Sequence, residues 1–399
     1  MKSIREIYKI GKGPSSSHTM GPERAALRFK GAHPNADAYR VTLYGSLSKT
    51  GRGHGTDRVL IETLAPAPAE IVFCNDESIA LPHPNTMDFV AFKGGQSIGE
   101  MRVMSIGGGD IAIEGEPGAA PKEVYAERTF EEIAEVCRAR NMRISDYVEM
   151  NEGEGIWDFL QQVWNAMSAS IHEGLTCRGE LPGGLHVERK AQYLINQRHI
   201  DERPETRENR IVCAYAFAVS EQNASQGTVV TAPTCGSCAT LPAVLKYMQE
   251  EKGIPDRQIL KALAVAGVIG NIVKTNASIS GAECGCQAEI GTACSMASAA
   301  LAELFEMGID QIEYAAEVAL EHHLGLTCDP IDGLVQIPCI ERNAVAAMRA
   351  INAVRIANFL TSTRKISFDM VVETMYQTGK DLNRIYRETA EGGLAKLYH

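Results

Sequence analysis

The 399-residue sequence has no apolar run approaching the roughly 18 residues that span a bilayer. Its longest, "ILKALAVAGVIGNIV", reads as a core helix. Excess positive charge is also missing: 39 Lys+Arg against 50 Asp+Glu leave a net charge of −11. That balance argues against nucleic acid or an anionic membrane surface as the main partner. The opening "MKSIREIYKIGKG" carries neither the apolar stretch nor the small-residue cleavage site of a signal peptide, so a cytoplasmic location is expected. There is no repeat of fixed period and no low-complexity tract. At 45% hydrophobic and 22% charged residues the composition is that of a soluble globular chain. Its length exceeds one ordinary core, so two or three domains are expected.

Cysteine, by contrast, is abundant for such a compartment. The eleven are Cys74, Cys137, Cys177, Cys213, Cys235, Cys238, Cys284, Cys286, Cys294, Cys328 and Cys339. The number is odd and a reducing cytosol disfavours disulfides, so a disulfide framework is not expected. Seven of the eleven lie between residues 235 and 339, which points to metal, cluster or thiol chemistry in one region.

The chain divides by composition. Up to about residue 125, "AYRVTLYGSLS" and "EIVFC" read as strands, with "GRGHGTD" as a glycine-rich loop. "DFVAFKGGQSIGEMRVMSIGGGDIAIEGE" reads as antiparallel strands joined by glycine turns. From about residue 128 helical apolar spacing takes over, in "TFEEIAEVCRARNM", "GIWDFLQQVWNAMSASIHEGL", "RIVCAYAFAVSEQNAS", "TLPAVLKYMQEEKG", "ASAALAELFEMG", "IEYAAEVALEHHLG" and "AVAAMRAINAVRIANFL". The pattern predicts an α+β protein. A mixed α/β domain over 1–125 is followed by a nearly all-α domain over 126–399, with the boundary in "EGEPGAAPKEVYAERT".

Two groups of residues carry chemistry. "GKGPSSSHTM" places three serines and His18 after a Gly-Pro turn. Ser15, Ser16 or Ser17 would cap a helix running through "GPERAALRFK". The N–H groups of such a terminus also make a ready anion site, beside which His18 can handle a proton. His54 in "GRGHGTD" and His83 in "LPHPNTM" likewise lie in loops bounded by glycine or proline, where catalytic groups collect. His322 and His323 suit a helix C-terminus; His33, His172, His186, His199 and His399 carry no signal. Among the cysteines, "GAECGCQAEIG" is crowded with small residues, and "TCDP" and "PCIERN" fix Cys328 and Cys339 beside prolines. Thiolates on rigid loops at helix N-termini suit an iron–sulfur cluster or zinc. Spacing alone chooses neither the metal nor the ligands. The lone C-x-x-C of Cys235 and Cys238 fits packing or a supporting role better than redox chemistry.

Taken together, "GPSSSHTMGP", "YGSLSKTGRGHGTD", "SIGGG", "TAPTCGSCATLPAVL", "NASISGAECGCQAEIG", "EHHLGLTCDP", "VQIPCIERNA" and "ETAEGGLAK" resemble the iron–sulfur-dependent bacterial L-serine dehydratases, in the same order from residue 4 to about 396. The resemblance implies a 4Fe–4S cluster with one open iron, held by Cys286, Cys328 and Cys339, separated by 42 and 11 residues. Cys284 stands where relatives usually have an aliphatic residue, and Cys235 and Ala239 depart from their common "PTNGACG". Some relatives have a C-terminal cysteine that reaches the open iron. This sequence ends "KLYH", so water, the terminal carboxylate or His399 is expected there instead.

The implied reaction is loss of water from L-serine, giving aminoacrylate and then pyruvate and ammonia. An open iron polarises the leaving hydroxyl, and a base whose pKa lies near the working pH takes the Cα proton. The resemblance implies catalytic roles for His18, His54 and His83, with His83 or His54 as the base or its partner. It implies substrate contacts from Ser16, Ser17, Thr19, Ser46 and Asn85. The substrate is a free amino acid, with L-threonine and L-cysteine as alternatives to L-serine, and a homodimer is expected. Two rivals are a pyridoxal-phosphate dehydratase, whose lysine motif and phosphate loop are not recognisable here, and a non-catalytic metal- or thiol-based regulator that binds an amino acid. Paired His-rich and Cys-rich segments weigh against the second.

Overall fold

The computed structural model describes residues 1–399 except 77, 117–121, 199, 361–363 and 399. Its strands are β1 (Ile10–Lys12), β2 (Ala38–Leu43), β3 (Ala69–Phe73), β4 (Thr86–Lys93), β5 (Gln96–Gly107), β6 (Asp110–Ile113) and β7 (Thr228–Val230). Five form one sheet in the order β3-β2-β4-β5-β6. β2 and β3 run parallel and the other neighbours antiparallel. Alternation sets the faces: Tyr39, Val41 and Leu43 of β2 are buried while Arg40 points to solvent. The helices Gly21–Ala32 and Thr56–Leu64 cover the apolar face, and Phe29, Leu60, Leu64, Met87, Phe89 and Val103 close a small core.

"AYRVTLYGSLS" is not strand throughout. β2 stops at Leu43, and Gly45–Thr50 is a helix. Gly45 has φ +54°, and a Cβ there would collide with the Pro84 carbonyl oxygen, so the chain turns where only glycine fits. That turn delivers Ser46 and Thr50 to the site described below.

The rest is helical, and each of the seven segments with helical spacing folds as a helix. Phe130–Arg140 opens on a Thr129–Glu132 capping box. Gly155–Thr176, Pro204–Ala224 and Thr240–Lys252 follow, the last closed by left-handed Gly253. Asp256–Asn276 packs along Thr292–Leu304, which packs on Ile309–Glu321 and Cys339–Leu360. Alanine, glycine and serine at these contacts let the backbones approach. The hydroxyls stay satisfied, since Ser295 and Ser298 donate to the Ala316 and Ala315 carbonyls at 2.7 and 2.9 Å. Asp256–Asn276 is long and apolar enough to cross a membrane by composition, but 78% of its apolar window is buried inside this core.

The first twelve residues pack mainly with the helices, although Lys9 ion-pairs with Asp110 of β6. Ile4, Ile7 and Tyr8 are buried in the large helical core, and the Tyr8 hydroxyl donates to the Leu263 carbonyl at 2.8 Å. β1 pairs antiparallel with β7. The chain therefore crosses between the two cores at residues 13–20. The expected boundary segment falls partly on 117–121, outside the described residues.

Candidate active site

The crossing places the serine-rich turn. Ser15 is extended (φ −135°, ψ 130°) and caps the turn, its Oγ accepting from the His18 N–H at 3.1 Å. Ser16–Met20 makes a single π-helical turn that runs straight into Gly21–Ala32. Such turns recur at functional sites. His18 is fully buried, with Nδ1 2.9 Å from Ser17 Oγ and Nε2 3.1 and 3.0 Å from Ser46 Oγ and Thr50 Oγ1. Burial, then the nearby His54, holds its pKa well below the ordinary histidine value.

His54 stacks beside it, ring centroids 4.4 Å apart. Its Nδ1 lies 2.9 Å from the Thr50 carbonyl oxygen. A carbonyl only accepts, so Nδ1 carries the proton and Nε2 the lone pair. That buried Nε2 has no hydrogen-bond partner among the described residues. Burial pushes the His54 pKa down to about 4, which keeps the ring neutral near pH 7. Glu388 Oε1 lies 3.8 Å from both His54 Nε2 and His18 Nδ1. Glu388 itself is locked: its N–H donates to the Cys328 carbonyl at 2.9 Å and its carbonyl accepts from Ser46 Oγ at 3.2 Å. Its φ of +56° is uncommon for a residue with a Cβ.

Opposite stand the three cysteines. Cys286 precedes the π-helical turn Gln287–Gly291 that leads into Thr292–Leu304, and Cys339 begins the helix Cys339–Leu360. Cys328 lies between them in sequence, its N–H donating to the Tyr386 carbonyl at 2.8 Å. All three line one cavity, together with Ser15, His54, Glu289 and Glu388. A hydrogen bond from Cys328, and secondarily Arg342, lowers the Cys286 thiol pKa; the same bond and burial raise that of Cys328. Three thiols converging at two helix N-termini fit a metal cluster. Among the described residues no other cysteine lines this cavity. Cys284 packs against Gly379, and Cys235, 3.7 Å from the Met20 sulfur, is buried with Cys238.

The other residues singled out in the sequence lie around this cavity rather than in its wall. His83 is apart, Nδ1 accepting from the Asn85 N–H at 3.0 Å and Nε2 3.9 Å from Glu283. Asn85 Nδ2 lies 3.5 Å from the Ser105 carbonyl. Ser17 and Ser46 hold His18, Thr19 Oγ1 donates to the His54 carbonyl at 3.0 Å, and Ser16 is buried in the turn. Ser15, Glu289 and Glu388 line the cavity and were not singled out as site residues from the sequence. Their signal lay inside segments already noted, "GPSSSHT", "GCQAEIG" and "ETAEGG". His399 lies outside the described residues.

A neutral imidazole with no hydrogen-bond partner for Nε2 among the described residues shares one cavity with three soft thiol donors, an arrangement that suits proton transfer beside a metal. Comparison with known proteins gives the family. The family model "Serine dehydratase beta chain" matches residues 3–72 and "Serine dehydratase alpha chain" residues 119–395. The chain is 39% identical to L-serine dehydratase 2 of Escherichia coli (strain K12), covering 99% of this chain and 98% of that protein. It is 41% identical to L-serine dehydratase 1 of the same organism, with 99% of each covered. To the L-serine dehydratase of Streptomyces coelicolor it is 39% identical, with 98% of each covered. The chain belongs to the serine dehydratase family and joins the alpha and beta regions in one polypeptide.

Proposed function

We propose that this chain converts L-serine to pyruvate and ammonia by β-elimination, using a 4Fe–4S cluster held by Cys286, Cys328 and Cys339. One observation carries the reading: the three thiols and the free Nε2 of His54 share a single cavity. When bound, the cluster supplies Lewis acidity toward the serine hydroxyl, a poor leaving group. The chain's own residues do the rest. The N-terminal turn at Ser15–Ser17 offers N–H and hydroxyl donors to the substrate carboxylate. His54 is the base for the Cα proton, its lone pair fixed on Nε2 by the Thr50 carbonyl; burial holds its pKa at about 4, which keeps that lone pair free at neutral pH but lies below the value expected of the base. Glu388 lies 3.8 Å away, its carboxyl pKa pushed well up by burial, and faces the imidazolium that results. Ser17, Thr19, Ser46 and Thr50 hold the two rings in place, with His18 between turn and base. His83 and Asn85 form an outer rim near Glu283.

In this reading the α/β unit, to about residue 125, brings base and carboxylate contacts and the helical unit brings the thiols. The protein acts in the cytoplasm as a homodimer on a free amino acid; its charge of −11 weighs against nucleic acid or an anionic membrane as partner. Anaerobic Cys328→Ala protein tests the ligand set. It should lose both the visible iron–sulfur absorbance and serine-dependent pyruvate formation, whereas Cys137→Ala should keep both. Full iron content in Cys328→Ala would remove that residue from the ligand set.

A further inference from the structure

We propose that Glu289 recognises the α-ammonium group of the substrate; this rests on the reading of the cavity as an L-serine site. Glu289 lies three residues after Cys286, on the π-helical turn Gln287–Gly291, and its carboxylate faces the cavity. The carboxylate is aimed and confined. Thr234 Oγ1 donates to its Oε2, and two glycines make room for it. A Cβ at Gly281 would collide with Oε1, and one at Gly236 would come within 2.7 Å of Oε2.

No cation among the described residues contacts it directly; Arg342 acts on it from beyond ion-pair distance. Among the described residues no Lys, Arg or His nitrogen forms an ion pair with Glu289. Asp329, by contrast, has Arg342 at 3.1 Å. A half-buried carboxylate beside three thiols is better stabilised when a positive group meets it. The substrate carries one such group. With the substrate carboxylate at the Ser15 turn and its Cα–H toward His54, the polar groups left in the wall are Glu388, which faces the two imidazoles at 3.8 Å, and Glu289. Oε1, not engaged by Thr234, is the acceptor. This gives the site its preference for an amino acid over the corresponding hydroxy acid, and fixes three substituents of Cα at once.

The test compares Glu289→Gln with the unsubstituted anaerobic holoenzyme, reading iron content, KM for L-serine and the competitive Ki of 3-hydroxypropanoate, which is serine without its amine. A lost charge-assisted hydrogen bond corresponds to roughly tenfold or more. KM should therefore rise at least about tenfold, while Ki for 3-hydroxypropanoate stays the same or falls. Glu289→Asp should lie between. KM and Ki rising together, or neither changing, would overturn the assignment. Should Glu289→Gln lose iron, Thr234→Val carries the same comparison, since it frees Oε2 without altering charge. KM must then rise by about threefold with Ki constant, and any other pattern overturns the proposal. Failure of the functional reading looks different: the unsubstituted chain then makes no pyruvate from L-serine.

Discussion

At the scale of single residues, the decisive contrast is between His54 and His83. Both have an Nε2 without a hydrogen-bond partner among the described residues, but only His54 lines the cavity with the cysteines. A positioned general base contributes about 10²–10⁴-fold. His54→Ala should therefore lower kcat by at least about a hundredfold while leaving the iron–sulfur spectrum intact. His83→Ala should cost much less; the reverse order would make His83 the base. Buried histidines also tie stability to pH. Burial holds His54 and His323 at about 4, below their value in the unfolded chain. Between about pH 6.5 and 4 the unfolded chain takes up protons that the folded chain refuses. Stability is thus fully present above about 6.5 and falls as pH drops, by on the order of 1 kcal/mol per unit per histidine. His323→Gln, away from the cavity, should flatten the dependence of Tm on pH in that range, and an unchanged slope would contradict the assignment. The cysteines and histidines were legible because their residue types are rare and sit in distinctive segments. Glu289 and Glu388 were not: they are two of 50 acidic residues, and only the fold brings them to the cavity.

At the scale of elements, the two π-helical turns matter most, Ser16–Met20 at the base and Gln287–Gly291 beside Cys286. Each hands a functional residue to the start of a helix. The second depends on glycine. At Gly281 an added Cβ would meet Glu289 Oε1 and approach Cys328 Sγ to 3.2 Å. Gly281→Ala should accordingly lower iron content and raise KM together, in a protein whose far-UV spectrum is unchanged. Normal iron and KM would mean that this contact is not limiting. Sequence periodicity found the helices because long apolar stripes are cooperative signals. It placed β4, β5 and β6 by their glycine turns. It extended β2 into "GSLS" because alternation continues there, while the turn at Gly45 is imposed by Pro84, a residue 39 positions on.

At the scale of the whole molecule, the site exists only where the two cores meet, and the first twelve residues tie them together. Local pattern could not reveal this, since β1 pairs with a strand more than 200 residues away. Deleting residues 1–12 removes that pairing and the buried Ile4, Ile7 and Tyr8, so Tm should fall and activity disappear even though no site residue is cut. Retained activity would show that the tie is dispensable. Neither unit expressed alone should form pyruvate. The most direct measurement is anaerobic purification of the full chain, followed by iron and sulfide quantitation and a serine-dependent pyruvate assay on the same sample. The expected result is a 4Fe–4S complement, about four of each per chain, with activity that decays in air along with the iron. Pyruvate formation from L-serine by protein free of iron would contradict it.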